Sequence, residues 1–171
     1  MSDTSFLHWP FFEPRHRELA AALEQWCLAH LPVDHGDVDA ACRRLVALLG
    51  QGGWLQHSGA AAGERLDVRT LCLIRETLAR HDGLADFAFA MQGLGMGAVS
   101  LFGTPDQQAW LQRTRAGQAI AGFALTEPGS GSDVAATATT AVRVPQGWRI
   151  DGEKTWISNG GIADLYVLFA R

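Results

Sequence analysis

The chain changes character at Gly117, and this change limits its fold more than any other feature of the sequence. Before Gly117, apolar residues recur in long segments at the 3.6-residue spacing of a helix. After it, valine, threonine, isoleucine and tryptophan stand in short runs that are broken by glycine turns. We therefore predict an α+β chain, with an all-α helical domain over residues 1–118 followed by an incomplete antiparallel β domain over residues 119–171.

Five helices are predicted in the first domain. The first spans Glu13–Leu31 and ends at Pro32. The other four are expected in the stretches DVDAACRRLVALLGQGGWL, DVRTLCLIRETLARHDG, LADFAFAMQGLGMGAVSLFG and TPDQQAWLQRTRAG. The fourth helix is apolar nearly all round, which predicts a buried central position. The fifth has the clearest start, because Thr104 suits the N-cap, Pro105 the first helical position and Gln107 a capping box.

Five short strands are predicted in the second domain, in the runs QAIAGFAL, TATTAVRV, GWRIDG, KTWISN and ADLYVLFA. The stretch VRVPQGWRID predicts a hairpin with its turn at Pro145–Gly147. Asp151 and Gly152 favour a second hairpin, between GWRIDG and KTWISN. Because so few strands leave an edge and a face uncovered, we expect more chain or another chain to cover them. The isolated chain is expected to be marginally stable or to self-associate.

Composition favours an intracellular protein. The three cysteines, Cys27, Cys42 and Cys72, are odd in number and form no CxxC pair. Each lies in a predicted helix, so we expect buried thiols in a reducing cytoplasm. No apolar run approaches the roughly 20 residues of a membrane helix, and the N-terminus lacks the pattern of a secretory signal. These features predict a cytoplasmic location without a membrane span.

Charge and histidine spacing argue against two other classes of protein. The net charge of −4 favours no nucleic-acid partner. The six histidines show neither HxxxH nor HExxH spacing, so no metal site is predicted. GLGMGA, residues 93–98, matches the GxGxxA pattern of dinucleotide-binding proteins. It lies within a predicted helix and has no strand before it, so we interpret its glycines as sites of close helix packing.

The loop from Ala124 to Thr137, ALTEPGSGSDVAAT, is rich in hydroxyls and contains no lysine or arginine. It lacks the GK[ST] ending of a phosphate-binding P-loop and the GxSxG spacing of a nucleophilic serine. Two interpretations stay open at this point. The loop is either a solvated connector or a binding site that uses its backbone N–H groups.

A second segment, GEKTWISNGG, lies about 25 residues downstream. If KTWISN is a strand, Trp156 and Ser158 lie on one face of it, because side chains alternate along a strand. An indole and a hydroxyl on one face would suit a planar heterocyclic ligand. The alternative interpretation is a half-buried tryptophan beside a turn.

Together, the two segments resemble the acyl-CoA dehydrogenase family. One signature of that family is an apolar pair, Thr-Glu-Pro, a Gly/Ser turn and Ser-Asp, which here spans Ala124–Asp133. The other is Lys-x-Trp-Ile-Thr/Ser-Asn-Gly/Ala, here Lys154–Gly160. The resemblance implies the family's N-terminal helical domain and the first part of its middle β-barrel domain, without the C-terminal helical bundle. It also implies FAD as cofactor and α,β-dehydrogenation of an acyl-CoA to trans-2-enoyl-CoA in fatty acid metabolism.

The resemblance also implies roles for individual residues. Leu125 and Thr126 would bond to the isoalloxazine, Trp156 would pack against it, and Ser158 would hydrogen-bond near N5 and O4. Ser132 would help to anchor the CoA part of the substrate. The complete set of implied cofactor-binding residues is Phe123, Ala124, Leu125, Thr126, Ser132, Trp156, Ile157 and Ser158.

No catalytic base is assigned in this chain. By the resemblance, Glu127 belongs to the loop itself, and the base lies in a later helical domain that these 171 residues do not include. The implied partners are an acyl-CoA substrate, electron-transfer flavoprotein as acceptor, and other subunits of a homo- or hetero-oligomer. Two alternatives remain: a short non-catalytic subunit of a larger homologue, and a relative of the acyl-CoA oxidases or flavin monooxygenases. The acyl chain length and branching are not determined by these residues.

Overall fold

A computed structural model describes residues 3–61 and 63–171. Its N-terminal part contains the five predicted α-helices: α1 (Pro14–His30), α2 (Val38–Gln51), α3 (Val68–His81), α4 (Gly83–Phe102) and α5 (Pro105–Arg115). Short 3-10 helices lie at Ser5–His8, Trp54–His57 and Val134–Ala136. Aspartate side chains cap the N-termini of α2, α3 and α4. The predicted capping box of α5 is present, with Thr104 and Gln107 bonded to each other's backbone N–H.

Four strands follow: β1 (Ala121–Ala124), β2 (Thr140–Val144), β3 (Gly147–Asp151) and β4 (Leu165–Leu168). β2 and β3 form the predicted antiparallel hairpin, with Thr140 opposite Asp151. β1 and β4 pair in parallel, with Ala121 opposite Leu165. The α+β class and the helix-then-strand order are therefore confirmed, while the antiparallel arrangement holds for the hairpin alone.

The predicted strand in KTWISN, and with it the second hairpin, is wrong. Residues 152–164 form turns and irregular backbone between β3 and β4. Trp156 and Asn159 have positive φ angles of 57° and 61°, which no strand residue adopts. Gly152 has φ 153° and lies against the side chain of Thr139, where a Cβ atom would clash. Trp156 and Ser158 therefore do not share the face of a strand.

Helix α4 is the centre of the molecule, as its apolar sequence predicts. It packs against α2, α3, α5 and β1, and Phe89 on α4 is fully buried in the main core. By length and composition alone α4 is also long and apolar enough to cross a membrane, contrary to the prediction that no such run exists. Core helices meet the same criteria, and α4 carries the buried contacts of one.

One buried polar residue joins the helical part to the sheet. The amide of Gln92, in the middle of α4, donates to the carbonyl of Ala119 at 2.7 Å and accepts from the N–H of Ala121 at 2.8 Å. One turn further on, an added Cβ atom at Gly95 would lie 2.7 Å from the Cβ of Ala121. The interpretation of the GLGMGA glycines as close-packing sites holds for Gly95 and for Gly93, which lies against the carbonyl of Ser58, although neither partner is an α-helix. It does not hold for Gly97, where an added Cβ atom would meet nothing within 4 Å.

The three cysteines are free thiols, but they are not all buried. Cys27 and Cys42 lie in the core, and burial raises the pKa of Cys27 to about 12. Cys72 is exposed on α3, so the prediction of a buried thiol is wrong there. Its helix is amphipathic, and position 72 falls on the outer face while Leu73 and Ile74 face the core. Within residues 3–61 and 63–171, no cluster of three or more metal-ligating side chains is found.

Candidate functional site

The structure brings the two signature segments together. The first follows the C-terminal end of β1, and the second precedes the N-terminal end of β4, so the parallel pairing of these strands does not by itself bring them together. Two hydrogen bonds between residues 154–155 and residues 125–126 do. The N–H of Thr155 donates to the carbonyl of Thr126 at 2.9 Å. The ammonium of Lys154 donates to the carbonyl of Leu125 at 2.9 Å. We refer to residues 125–130 as the first loop and residues 154–160 as the second loop.

The first loop is ordered by its own hydrogen bonds. Glu127 and Ser130 exchange backbone hydrogen bonds of 2.9 and 3.1 Å around Pro128 and Gly129, which form a tight turn. The hydroxyl of Ser130 donates to the carbonyl of Asp133 at 2.6 Å. Ser132, the residue expected to anchor CoA, is exposed to solvent. These hydrogen bonds fix the conformation of the loop between Glu127 and Asp133.

Glu127 is buried and its carboxylate is fully engaged. It accepts from the Lys154 ammonium at 2.7 Å and from the Ala138 N–H at 2.6 Å. Thr139 adds its N–H at 2.9 Å and its hydroxyl at 2.5 Å. The hydrogen bond from Lys154, followed by those from Thr139 and Ala138, holds the pKa of Glu127 well below its usual range. A carboxylate held ionised by fixed donors is a poor proton acceptor, which supports the interpretation that Glu127 is not the general base.

Trp156 in the second loop is presented to solvent. Trp156 is 90% exposed, and its backbone φ of 57° is uncommon for a residue with a bulky side chain. The loop is held in this shape by Asn159, whose amide donates to the carbonyl of Ala121 at 3.1 Å. The Asn159 carbonyl accepts the N–H groups of Ile162 and Ala163. Unfavourable backbone angles around an exposed aromatic residue are typical of binding sites.

A shallow cavity of about 380 Å³ lies between the second loop and the sheet. It is lined by Ala124, Lys154, Ile157, Gly160, Tyr166 and Leu168. The Tyr166 hydroxyl donates to the carbonyl of Gly160 at 2.5 Å and so closes one wall. Nearby, the backbone N–H groups of Thr126, Trp156 and Ser158 donate to no other residue that the structure describes. The site thus offers small apolar surfaces and unused donors.

Comparison with protein families identifies this arrangement. Residues 13–118 match the model described as "Acyl-CoA dehydrogenase, N-terminal domain", and residues 122–171 match "Acyl-CoA dehydrogenase, middle domain". The chain belongs to the acyl-CoA dehydrogenase family. The resemblance inferred from the two signatures is confirmed.

Individual acyl-CoA dehydrogenases give the same result. The very long-chain specific enzyme of Rattus norvegicus mitochondria is 43% identical over 121 residues, which cover 68% of this chain and 18% of that protein. An acyl-CoA dehydrogenase from Bacillus anthracis, solved in complex with FAD, superposes with a TM-score of 0.80 at 29% identity. That match covers 100% of this chain and 33% of the other. The chain therefore spans only a part of the length of its relatives.

A third comparison adds a reduced cofactor. A glutaryl-CoA dehydrogenase from Mycobacterium smegmatis, solved in complex with FADH2, has a TM-score of 0.79 and 29% identity. It covers 99% of this chain, which in turn spans 44% of that structure. Both of these solved structures contain a flavin, so the predicted residues of this chain are best compared with a flavin site.

The predicted residues lie around the two loops. Phe123 and Ala124 end β1, and the Phe123 ring packs edge-on against Phe169 with ring centroids 5.1 Å apart. Leu125 and Thr126 belong to the first loop, and Trp156, Ile157 and Ser158 to the second. Sequence reasoning assigned no role to Lys154, Asn159 or Tyr166, whose contacts shape the site. For Lys154 a signal existed, because it is the only lysine in the chain.

Proposed function

We propose that this chain supplies the N-terminal helical domain and one part of the flavin site of an FAD-dependent acyl-CoA dehydrogenase. The reaction is the removal of a proton from Cα and a hydride from Cβ of an acyl-CoA thioester, which leaves trans-2-enoyl-CoA. The observation that carries the proposal is the second loop, with an exposed indole in an unfavourable backbone conformation beside unused N–H donors.

The residues fit a flavin. A flat heterocycle can pack against the exposed Trp156 indole, and its ring carbonyls and nitrogens can accept from the free N–H groups of Thr126 and Ser158. Two of the residues that line the cavity, Ala124 and Gly160, are small. When bound, FAD supplies the acceptor for the hydride that leaves Cβ.

The chain's own residues bind and orient. We assign Leu125 and Thr126 to backbone contacts with the ring, and Ser158 to a hydroxyl hydrogen bond. We assign Phe123, Ala124 and Ile157 to the apolar surface around these contacts, and the exposed Ser132 to the CoA part of the substrate. No residue of this chain is assigned to remove the α-proton, since Glu127 is ionised and fully bonded.

The test uses the protein that contains this chain, purified without added cofactor. We expect it to carry the visible absorption of a flavin, and mass spectrometry of the released compound to identify FAD. Under anaerobic conditions, acyl-CoA thioesters of different chain length are added, and one of them should bleach the flavin absorption. A protein that neither retains nor binds FAD would show the proposal to be wrong.

The electron acceptor and the assembly belong to the same proposal. We propose electron-transfer flavoprotein as acceptor, a homo- or hetero-oligomeric state, and a cytoplasmic location. After reduction by acyl-CoA, rapid reoxidation by electron-transfer flavoprotein without oxygen consumption is the expected result. Oxygen consumption on acyl-CoA addition would instead indicate the oxidase or monooxygenase alternative.

A further inference from the structure

We propose that Lys154 is a positioning residue of the flavin site. Its side chain joins the first loop to the second, so that Thr126 and Trp156 can contact the same flavin. This inference rests on the proposed function. It assigns a role to a side chain that itself has only a small exposed surface. Lys154 contacts no ligand in this proposal. It acts by holding the residues on either side of Thr126 next to the residue that precedes Trp156.

The contacts of Lys154 are specific to these two loops. Its ammonium lies 2.9 Å from the Leu125 carbonyl and 2.7 Å from Glu127 Oε1. Leu125 and Glu127 flank Thr126, and Thr155, next to Lys154, bonds the Thr126 carbonyl. Thus each residue around Thr126 is tied to the segment that leads into Trp156. The Lys154 and Glu127 side chains are only 8% and 5% exposed, so water does not compete strongly for these bonds.

The two partners of this ion pair differ in what else holds them. Glu127 keeps three further hydrogen bonds from Ala138 and Thr139 when Lys154 is lost. The connection between the loops then depends on the single backbone bond from Thr155 to Thr126. Loss of the ammonium is therefore expected to release the second loop from the first while the first loop remains anchored to residues 138 and 139.

The choice of lysine is itself informative. Lys154 is the only lysine of the chain, and the other thirteen of its fourteen Lys and Arg residues are arginines. An ammonium is compact and presents three donors from one atom, whereas a guanidinium is a planar fork. One nitrogen therefore reaches both the Leu125 carbonyl and the Glu127 carboxylate.

The experiment compares Lys154→Met with the double variant Glu127→Gln/Lys154→Met in the whole protein. The single variant leaves a buried carboxylate without its cation, which by itself destabilises the fold. The double variant removes both charges, so it separates the loss of the loop connection from the burial of an unpaired charge. Arg75→Met is the control, because it breaks the ion pair between Arg75 of α3 and Asp86 of α4, which lies outside the two loops. FAD affinity, the circular dichroism of bound flavin and its reduction potential are measured, together with thermal unfolding of the flavin-free protein.

We expect both Lys154 variants to bind FAD roughly tenfold more weakly or worse, since small displacements of positioning groups have large effects. The dichroism and the potential of the remaining bound flavin should also change. Arg75→Met should leave all three flavin properties as in the wild type. The double variant should unfold at a higher temperature than Lys154→Met, because it buries no unpaired charge, and still show the altered flavin.

Two results would overturn the inference. One is a double variant that binds FAD with wild-type affinity, dichroism and potential. The other is a loss of affinity that follows thermal stability alone, with an unchanged flavin spectrum in the bound fraction. If the wild-type protein itself binds no FAD, the proposed function is wrong and this inference falls with it. That result differs from one in which the wild-type protein binds FAD and the Lys154 variants bind it equally well.

Discussion

Among single residues, Trp156 is one whose removal should weaken FAD binding with little effect on the free energy of unfolding. Its side chain is almost entirely exposed, so little packing is lost when it is removed. Its φ of 57° is one that glycine adopts without strain, which offsets the greater freedom of glycine in the unfolded chain. Trp156→Gly should therefore change the free energy of unfolding by less than about 1 kcal/mol. FAD affinity should fall about tenfold, in the range of other aromatic stacking contacts.

Urea denaturation of the flavin-free protein and titration with FAD measure these two quantities. Trp148→Ala is the matched control, because Trp148 is an exposed tryptophan on the β2–β3 hairpin and has no part in the two loops. It should leave FAD affinity unchanged. Undiminished FAD affinity in Trp156→Gly would contradict the assignment of this indole to the flavin.

Glu127 predicts a dependence of stability on pH. Its pKa in the folded protein is depressed from an ordinary value of 4.5, first of all by the hydrogen bond from Lys154. The stabilisation is therefore complete above that ordinary value and is lost as the pH falls towards the folded pKa, because the unfolded chain binds the proton first. Glu127→Gln should be less stable than the wild type near neutral pH, and the difference should shrink between about pH 6 and pH 3.

Urea denaturation of both proteins across this range checks the prediction. Glu13, whose pKa is lowered to about 2 by its hydrogen bonds with Arg15 and Arg69, titrates in the same direction. It is present in both proteins, so its effect cancels in the difference. A difference that stays constant with pH would mean that Glu127 is not the ionised partner of a buried pair.

At the scale of the element, two glycines of α4 make opposite predictions for the same substitution. A Cβ atom at Gly95 would lie 2.7 Å from Ala121 of β1, whereas one at Gly97 would meet no atom within 4 Å. Gly95→Ala should destabilise the protein by about 1–3 kcal/mol through overpacking. Gly97→Ala should stabilise it by up to about 1 kcal/mol, since alanine favours the helix. Equal changes in the two urea midpoints would show that α4 does not pack closely on β1.

The elements that sequence predicted are those specified by neighbouring residues. Helix α5 begins at Thr104 because its cap, its proline and Gln107 lie within one turn. The β2–β3 hairpin forms around Pro145 and Gln146 for the same local reason. Such signals act over a few positions and need no knowledge of the rest of the chain.

The second loop was mispredicted because distant contacts determine it. Its aromatic and β-branched residues favour a strand, yet Trp156 and Asn159 are held at positive φ. The bonds that hold them run from Lys154 to Leu125 and from Asn159 to Ala121, residues far away in the sequence. The proximity of the two signatures was implied by the family resemblance, but the groups that tie them together were not.

At the scale of the whole molecule, the helical part determines where the flavin loops lie. Gln92 fixes the start of β1 to the middle of α4 through Ala119 and Ala121. β1 is only four residues long, so its far end, which leads into Leu125 and Thr126, has little freedom relative to the helices. Changes in the packing of α4 are therefore transmitted to the first loop along a short, buried strand.

Exposed apolar side chains at one end of α4 predict self-association of the isolated 171-residue chain. At the C-terminal end of α4, Leu101 and Phe102 are 73% and 85% exposed. They adjoin a groove of about 460 Å³ between this end of α4, α5 and β4. Contiguous apolar surface of this kind favours association with another surface.

Sedimentation velocity should show a mass that increases with concentration, and the double variant Leu101→Gln/Phe102→Ser should reduce that increase. Phe11→Ser, at an exposed phenylalanine before α1, should not reduce it. A wild-type chain that stays monomeric at every concentration would show that this surface does not drive association.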